Sequence, residues 1–198
     1  MKDIQLYDYQ REMSERIEAA FRSCQSVMVQ MPTGTGKTVL LAEQVKSEER
    51  RVKNPCVWIV VHRRELVEQI RETLETMLSS PCSTSGTALS LLLDDSRIKV
   101  MSIQWLSRHY QEMKDKPSLI VIDEAHHAVA KTYKEVMDAY PEAKKLGLTA
   151  TPCRLTRRGF TDLFDVLLQS WSAKKFIADG WLSLYDYMSI REDSEDWR

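Results

Sequence analysis

The sequence predicts an α/β fold, with a mainly parallel sheet and helices on both of its faces. Three observations point there. Runs such as Val57-Trp58-Ile59-Val60-Val61 and Leu119-Ile120-Val121-Ile122 are of strand length and have no polar face, as strands buried inside a parallel sheet require. Between such runs lie amphipathic stretches with apolar residues at helical spacing. The two kinds of segment also alternate along the chain, the pattern of a doubly wound sheet.

The elements follow in order. Tyr9 to Phe21 reads as a first helix, Val27-Met28-Val29 as a short strand and Thr38 to Lys46 as the next helix. Val57 to Val61 is the second strand. From about Glu65 to Leu78 the residues Leu66, Ile70, Leu74 and Leu78 recur at i, i+4 spacing on an otherwise charged stretch, which gives a helix with one buried stripe. Ile98-Lys99-Val100-Met101 is a further strand, with Trp105 at the head of a helix after it. Leu119 to Ile122 and Leu146-Gly147-Leu148 complete the strands. After Trp171 a helical pattern reaches Asp179, and Gly180 is a suitable stop. The closing REDSEDWR is acidic and weakly apolar, so we expect one domain over residues 1–182 and the start of a linker over 183–198. There is no internal repeat and no low-complexity tract.

At 198 residues, 43% of them hydrophobic and 29% charged, the chain has the composition of one soluble, well-buried domain. No apolar run approaches the roughly 20 residues that span a bilayer, and MKDIQLYDYQREM lacks the apolar centre of a cleaved leader. No membrane partner is expected. The four cysteines, Cys24, Cys56, Cys82 and Cys153, form no C-x-x-C pair. They read as reduced thiols of a cytoplasmic protein. With 28 basic and 29 acidic residues the net charge is -1. That balance does not argue for nucleic acid, although a few phosphates need only a local basic groove.

The sharpest chemical signal is Met31-Pro-Thr-Gly-Thr-Gly-Lys-Thr38, which follows a strand and opens a helix. Gly34 and Gly36 allow the tight turn that aims backbone N–H groups of Thr33, Thr35 and their neighbours at phosphate oxygens. Lys37 can reach the β- and γ-phosphates of ATP, and the Thr38 hydroxyl can ligate Mg²⁺. The helix N-terminus adds its positive dipole end. The strict phosphate-loop pattern has Gly where this chain has Met31, at a position away from the phosphates.

The second signal is Asp123-Glu124-Ala125-His126, at the end of the run Leu119 to Ile122. Strand-end carboxylates in an open parallel sheet face the crevice where ligands bind. Asp123 is suited to hold Mg²⁺ and Glu124 to polarise the attacking water. Arg63 and Arg64 follow a buried strand and precede a helix, a place where phosphate meets both side chain and helix end. As a bare pair they are equally a solvated basic step. Arg154, Arg157 and Arg158 form the densest basic cluster, open to nucleic acid, nucleotide or another domain. Trp58 and Trp105 read as core residues.

In combination these segments resemble the superfamily 2 helicases, over nearly the whole chain to about Leu182. Met31 to Thr38 resembles motif I, Asp123 to His126 a DEAH-type motif II, and Leu148-Thr149-Ala150-Thr151-Pro152 motif III. Leu6-Tyr7-Asp8-Tyr9-Gln10 is similar to the upstream adenine-reading motif, with Gln10 at the glutamine and Tyr7 where Arg is frequent. Val61 to Leu66 resembles motif Ia, and Ser85-Gly86-Thr87 and Ser102-Ile103-Gln104 stand at motifs Ib and Ic. The T-A-T-P form is closest to restriction-enzyme translocase subunits and DNA-repair helicases. The resemblance implies a RecA-like P-loop NTPase domain that hydrolyses ATP with Mg²⁺, and nucleic acid as partner, DNA before RNA. It implies a second RecA-like lobe in the full-length chain. It also implies that His126 links the nucleotide site to motif III, and that Thr149 and Thr151 relay this toward nucleic acid. The alternatives are an RNA helicase of the same superfamily or a P-loop NTPase that is no helicase. A transporter ATPase would carry a Ser-Gly-Gly-Gln-type signature, which is absent.

Overall fold

The computed structural model describes residues 5–78, 82–84, 96–127, 131–150 and 163–183. Within them a single sheet is built from β1 (Ser26–Gln30), β2 (Val57–Val61), β3 (Cys82–Thr84), β4 (Ile98–Ser102), β5 (Leu119–Ile122), β6 (Lys144–Thr149) and β7 (Val166–Gln169). Their spatial order is β3-β4-β2-β5-β6-β1-β7, and every pairing is parallel. Six helices accompany them among the described residues: α1 (Asp8–Ala20), α2 (Lys37–Arg51), α3 (Leu66–Leu78), α4 (Ile103–His109), α5 (Lys131–Ala139) and α6 (Ala173–Ala178).

Strand alternation divides the core in two. Val57, Ile59 and Val61 of β2 point to one side of the sheet, with Val27 and Val29 of β1, and meet Met13 and Ile17 of α1, Leu41 and Val45 of α2, Leu74 of α3 and Phe176 of α6. Trp58 and Val60 point to the other side, where Leu106 of α4 and Tyr133, Val136 and Met137 of α5 cover them. Helices therefore lie on both faces, which is why β2 and β5 carry no polar side. Trp58 is fully buried, and its ring meets Tyr140 edge-on at 4.8 Å.

Helix ends follow local chemistry. Ser102 and Ser172 accept from the backbone N–H groups of Trp105 and Lys175 at the starts of α4 and α6, ordinary N-caps. At α1, Gln10 Oε1 reaches back to the Tyr7 N–H at 3.0 Å, the returning half of a capping box. The helix after Trp171 ends as the sequence predicts, with Gly180 at φ 76°.

The structure extends the sequence reading in four places, one of them the short strand β3, which no apolar run marked. Helix α2 continues beyond Lys46 to Arg51, because Gln44, Lys46 and Glu48 are buried although polar and so broke the apolar pattern. Strand β7 is a partly exposed edge strand beside β1. Helix α5 shows only a short apolar stripe of Tyr133, Val136 and Met137. No helix among the described residues is long and apolar enough to cross a membrane.

Candidate functional site

Because all the strands are parallel, their carboxyl ends lie on one edge, and the segments singled out by sequence leave from that edge. Along it the order is the turn after β4, then those after β2, β5, β6 and β1.

The loop after β1 is tied to its neighbours at each end. Met31, the departure from the strict pattern, is fully buried in the core, and its N–H donates to the Thr149 carbonyl of β6 at 2.9 Å. Thr35 Oγ1 donates to the Pro32 carbonyl at 2.7 Å. The Thr35 carbonyl in turn accepts from Tyr9 Oη and from Gln10 Nε2, both at 3.1 Å. Gly34 and Gly36 stand at φ 84° and 80°, in the left-handed region that favours glycine. A Cβ on Gly36 would also collide with the Gln10 amide nitrogen. Gly36 caps α2, so Lys37 and Thr38 are its first two residues and sit at the positive end of its dipole.

The acidic segment leaves β5, one strand away. The Asp123 N–H donates to the Val60 carbonyl, which carries the β2–β5 pairing one residue past the strand. Glu124 then turns at φ 52°, a conformation that costs a non-glycine residue free energy and clusters at functional sites. Burial raises the Asp123 carboxyl above its ordinary range, the adjacent Glu124 raises it further, and Lys37 and His126 pull in the opposite direction. A half-buried carboxylate beside a second one is a donor pair that a divalent cation would relieve, so the residues present fit Mg²⁺.

His126 connects this segment to β6. Its Nδ1 lies 3.2 Å from Glu124 Oε2 and 3.0 Å from Thr149 Oγ1. A proton on Nδ1 is shared between the two oxygens, whereas with a bare Nδ1 the threonine hydroxyl donates. Ala125 is fully buried, and a side chain on Gly147 of β6 would run into it and into Phe164. The close approach of β6 beneath the acidic turn therefore depends on a residue without a Cβ.

Farther along the edge, Arg63 and Arg64 are exposed in the turn between β2 and α3, where their carbonyls accept from Leu66 and Val67 N–H groups. Gln104 is exposed at the start of α4, and its Nε2 donates to the His62 carbonyl at 2.9 Å. These three share a patch apart from the phosphate loop. Thr151, the Ser85-Gly86-Thr87 segment and Arg154, Arg157 and Arg158 lie outside the described residues. Sequence reasoning missed Tyr9, whose hydroxyl braces the loop, and Leu182, which would touch a Cβ on Gly34 at 3.1 Å. Proximity to Gln10 was a signal for Tyr9; nothing local marked Leu182.

Comparison with known proteins gives the family and the fold. Residues 3–154 match the family model described as "Type III restriction enzyme, res subunit". The chain is 30% identical to the DNA 3'-5' translocase XPB2 of Sulfurisphaera tokodaii over 83% of its own length and 34% of that protein. It is 26% identical to the type I restriction enzyme EcoAI endonuclease subunit of Escherichia coli, over 94% of the chain and 24% of that protein. The helicase domain of Pyrococcus furiosus Hef superposes with a TM-score of 0.72 at 21% identity, over 84% of this chain and 38% of that one. The fold is thus that of a RecA-like helicase lobe. The chain spans about a third or less of the length of the curated relatives it matches.

Proposed function

The chain belongs to the type III restriction enzyme res-subunit family, and from that membership we propose that it is the ATP-binding lobe of a helicase or translocase acting on nucleic acid. The observation that carries the reading is the meeting of strand ends at Thr149: its carbonyl accepts from the Met31 N–H that opens the loop after β1, and its hydroxyl meets His126, which also reaches Glu124.

In this reading the N–H groups of Thr33 to Gly36 cradle the phosphates of ATP, and Lys37 neutralises charge on the transferring group. Thr38 and Asp123 would hold Mg²⁺, which would supply charge neutralisation to the bound phosphates. Glu124 orients a water molecule and takes its proton as the oxygen attacks the γ-phosphorus and the bond to ADP breaks. His126 passes the state of Glu124 to Thr149, and through the segment containing Thr151 toward the nucleic acid. Arg63, Arg64 and Gln104 line that path and contact backbone phosphates. DNA is the favoured substrate, on the likeness to a DNA translocase and a restriction-enzyme subunit. A second RecA-like lobe elsewhere in the full-length protein completes the motor.

The test is calorimetric titration with Mg-ATP alongside a phosphate-release assay. Lys37→Ala should abolish tight ATP binding and leave the fold intact. Glu124→Gln should retain binding and stop hydrolysis. Undiminished ATP affinity in the Lys37→Ala variant contradicts the assignment.

A further inference from the structure

Strands β5 and β6 run in the same direction, so α5, which lies between them in the chain, runs the opposite way and begins at the carboxyl edge of the sheet. That direction fixes the height of its side chains against the strands. Tyr140, just past the end of α5, meets the Trp58 ring edge-on, and Trp58 stands opposite Ile120 of β5. Tyr133 comes two helical turns before Tyr140 on the same line, about 10 Å nearer the carboxyl edge. Asp123 lies three residues past Ile120, also about 10 Å along the strand direction. Tyr133 and Asp123 are therefore level, one on the helix and one at the strand end.

At that height Tyr133 carries a polar atom that its packing does not use. The residue is 3% exposed and shares the second core with Ile122 and Ala125, which bracket Asp123 and Glu124. Its hydroxyl is buried with no hydrogen-bond partner among the described residues, whereas Tyr140 gives its own to the Tyr110 carbonyl. Buried hydroxyls are nearly always bonded, because an unmade bond forfeits the lost hydration. Val136 and Met137 continue the same stripe with apolar side chains, so the core asks for a ring at Tyr133 and not for its oxygen. Burial first, and the charge of Asp123 second, push that hydroxyl up to about 12. It keeps its proton and has one to donate.

We propose that Tyr133 is a positioning residue for the acidic pair: its hydroxyl donates to the Asp123 carboxylate, directly or across one water, and holds it in the orientation that meets Mg²⁺. The proposal rests on the reading of Asp123 as a metal-holding carboxylate. Burial works against the charged form of Asp123, and a donor on a rigid ring works for it. The same bond limits rotation of the carboxylate, as partners behind metal ligands generally do. Tyr133 itself touches neither nucleotide nor metal, so it acts through Asp123.

The experiment measures the ATP affinity of the 198-residue chain by calorimetry, once with saturating Mg²⁺ and once in EDTA, and takes the ratio as the contribution of the metal. The variants are Tyr133→Phe, Asp123→Asn, the two combined, and Tyr140→Phe, which removes a hydroxyl from the far end of α5. Tyr133→Phe should lower the ratio by about tenfold or more, the effect of losing a partner behind a metal ligand. Its affinity in EDTA and its metal-free thermal midpoint should not fall. Tyr140→Phe should leave the ratio unchanged. In the Asp123→Asn background Tyr133→Phe should have no further effect on the ratio, since the carboxylate it orients is gone. A ratio unmoved by Tyr133→Phe, or moved equally by Tyr140→Phe, overturns the positioning role. So does an undiminished loss in the Asp123→Asn background. Equal losses with Mg²⁺ and in EDTA, together with a lowered midpoint, mark a packing role and overturn it as well. If the parent gains nothing from Mg²⁺, or Asp123→Asn leaves the ratio intact, the metal reading of Asp123 is itself wrong and the role of Tyr133 falls with it.

Discussion

Replacing Gly36 with alanine adds one methyl group at the most crowded point of the phosphate loop. Two costs arise there, and they are separable. The first is backbone strain, because Gly36 sits at φ 80° and an L-residue in the left-handed region costs about 1–2 kcal/mol. The second is collision with the Gln10 amide nitrogen, which must swing away and give up its bond to the Thr35 carbonyl. Leaving buried polar groups unpaired costs about 1–3 kcal/mol. Tyr9 still donates to that carbonyl, which keeps the second cost toward the lower end. The sum is about 2–4 kcal/mol, and the thermal midpoint of a domain this size should fall by on the order of 10 °C. A double-mutant cycle in urea isolates the collision. In a Gln10→Ala background only the strain remains, so Gly36→Ala should cost about 1 kcal/mol or more less there than in the parent. If the two substitutions add to within about 0.5 kcal/mol, beyond which coupling is measurable, the contact does not exist in solution and the argument fails.

Three further outcomes follow from the same geometry. Asp123 is raised by burial first and Glu124 second, so the fold disfavours its charge, and its contribution to stability worsens as pH rises above the unfolded value. Asp123→Asn should accordingly raise the thermal midpoint at neutral pH in Mg²⁺-free buffer while removing the Mg²⁺ dependence of ATP binding; a lowered midpoint would refute the sign. Asp165 is held low mainly by the hydroxyl of Ser26, which donates to its Oδ2 at 2.8 Å. A depressed carboxylate stabilises above its unfolded value of about 3.9 and loses that contribution as pH falls through the folded one. Melting curves should therefore show Ser26→Ala destabilising most at neutral pH, with a deficit that narrows as pH falls through the folded value of Asp165; a pH-independent deficit would exclude the linkage. Finally, the motor reading requires a second lobe to supply an arginine finger, worth on the order of 10³–10⁵ in rate. This chain alone should hydrolyse ATP slowly and separate no strands in a fluorescent duplex assay, and unwinding at the rate of the full-length protein would rule out the two-lobe scheme.

Much of the fold was legible because its signals are local. The runs Val57 to Val61 and Leu119 to Ile122 coincide with β2 and β5, since strands covered on both faces tolerate no polar residue. The stripe from Leu66 to Leu78 coincides with α3 for the same reason in helical form. The turn after β1 was equally plain, because Gly34 and Gly36 are what two positive φ angles require and Lys37 opens the helix that follows. Elements whose identity depends on a partner were not legible. Edge strand β7 exists because β1 offers it a ladder, and the end of α2 is hidden by polar residues that burial does not forbid.

What the sequence determined by itself was the parallel α/β architecture and the residue types of the loop after β1 and of the acidic pair after β5, because hydrophobic period and residue type are written residue by residue. What only the tertiary structure decided was adjacency. Trp181 lies beside Tyr7 across most of the chain, Lys99 is buried within β4 with its ammonium on Asp115 at 3.3 Å, and His126 reaches Thr149. Strand order sets each of these meetings, and strand order depends on contacts between segments that no local pattern records. The sheet brings Glu124, His126 and Thr149 together because β5 and β6 are neighbours and because Gly147 leaves room for the turn above it.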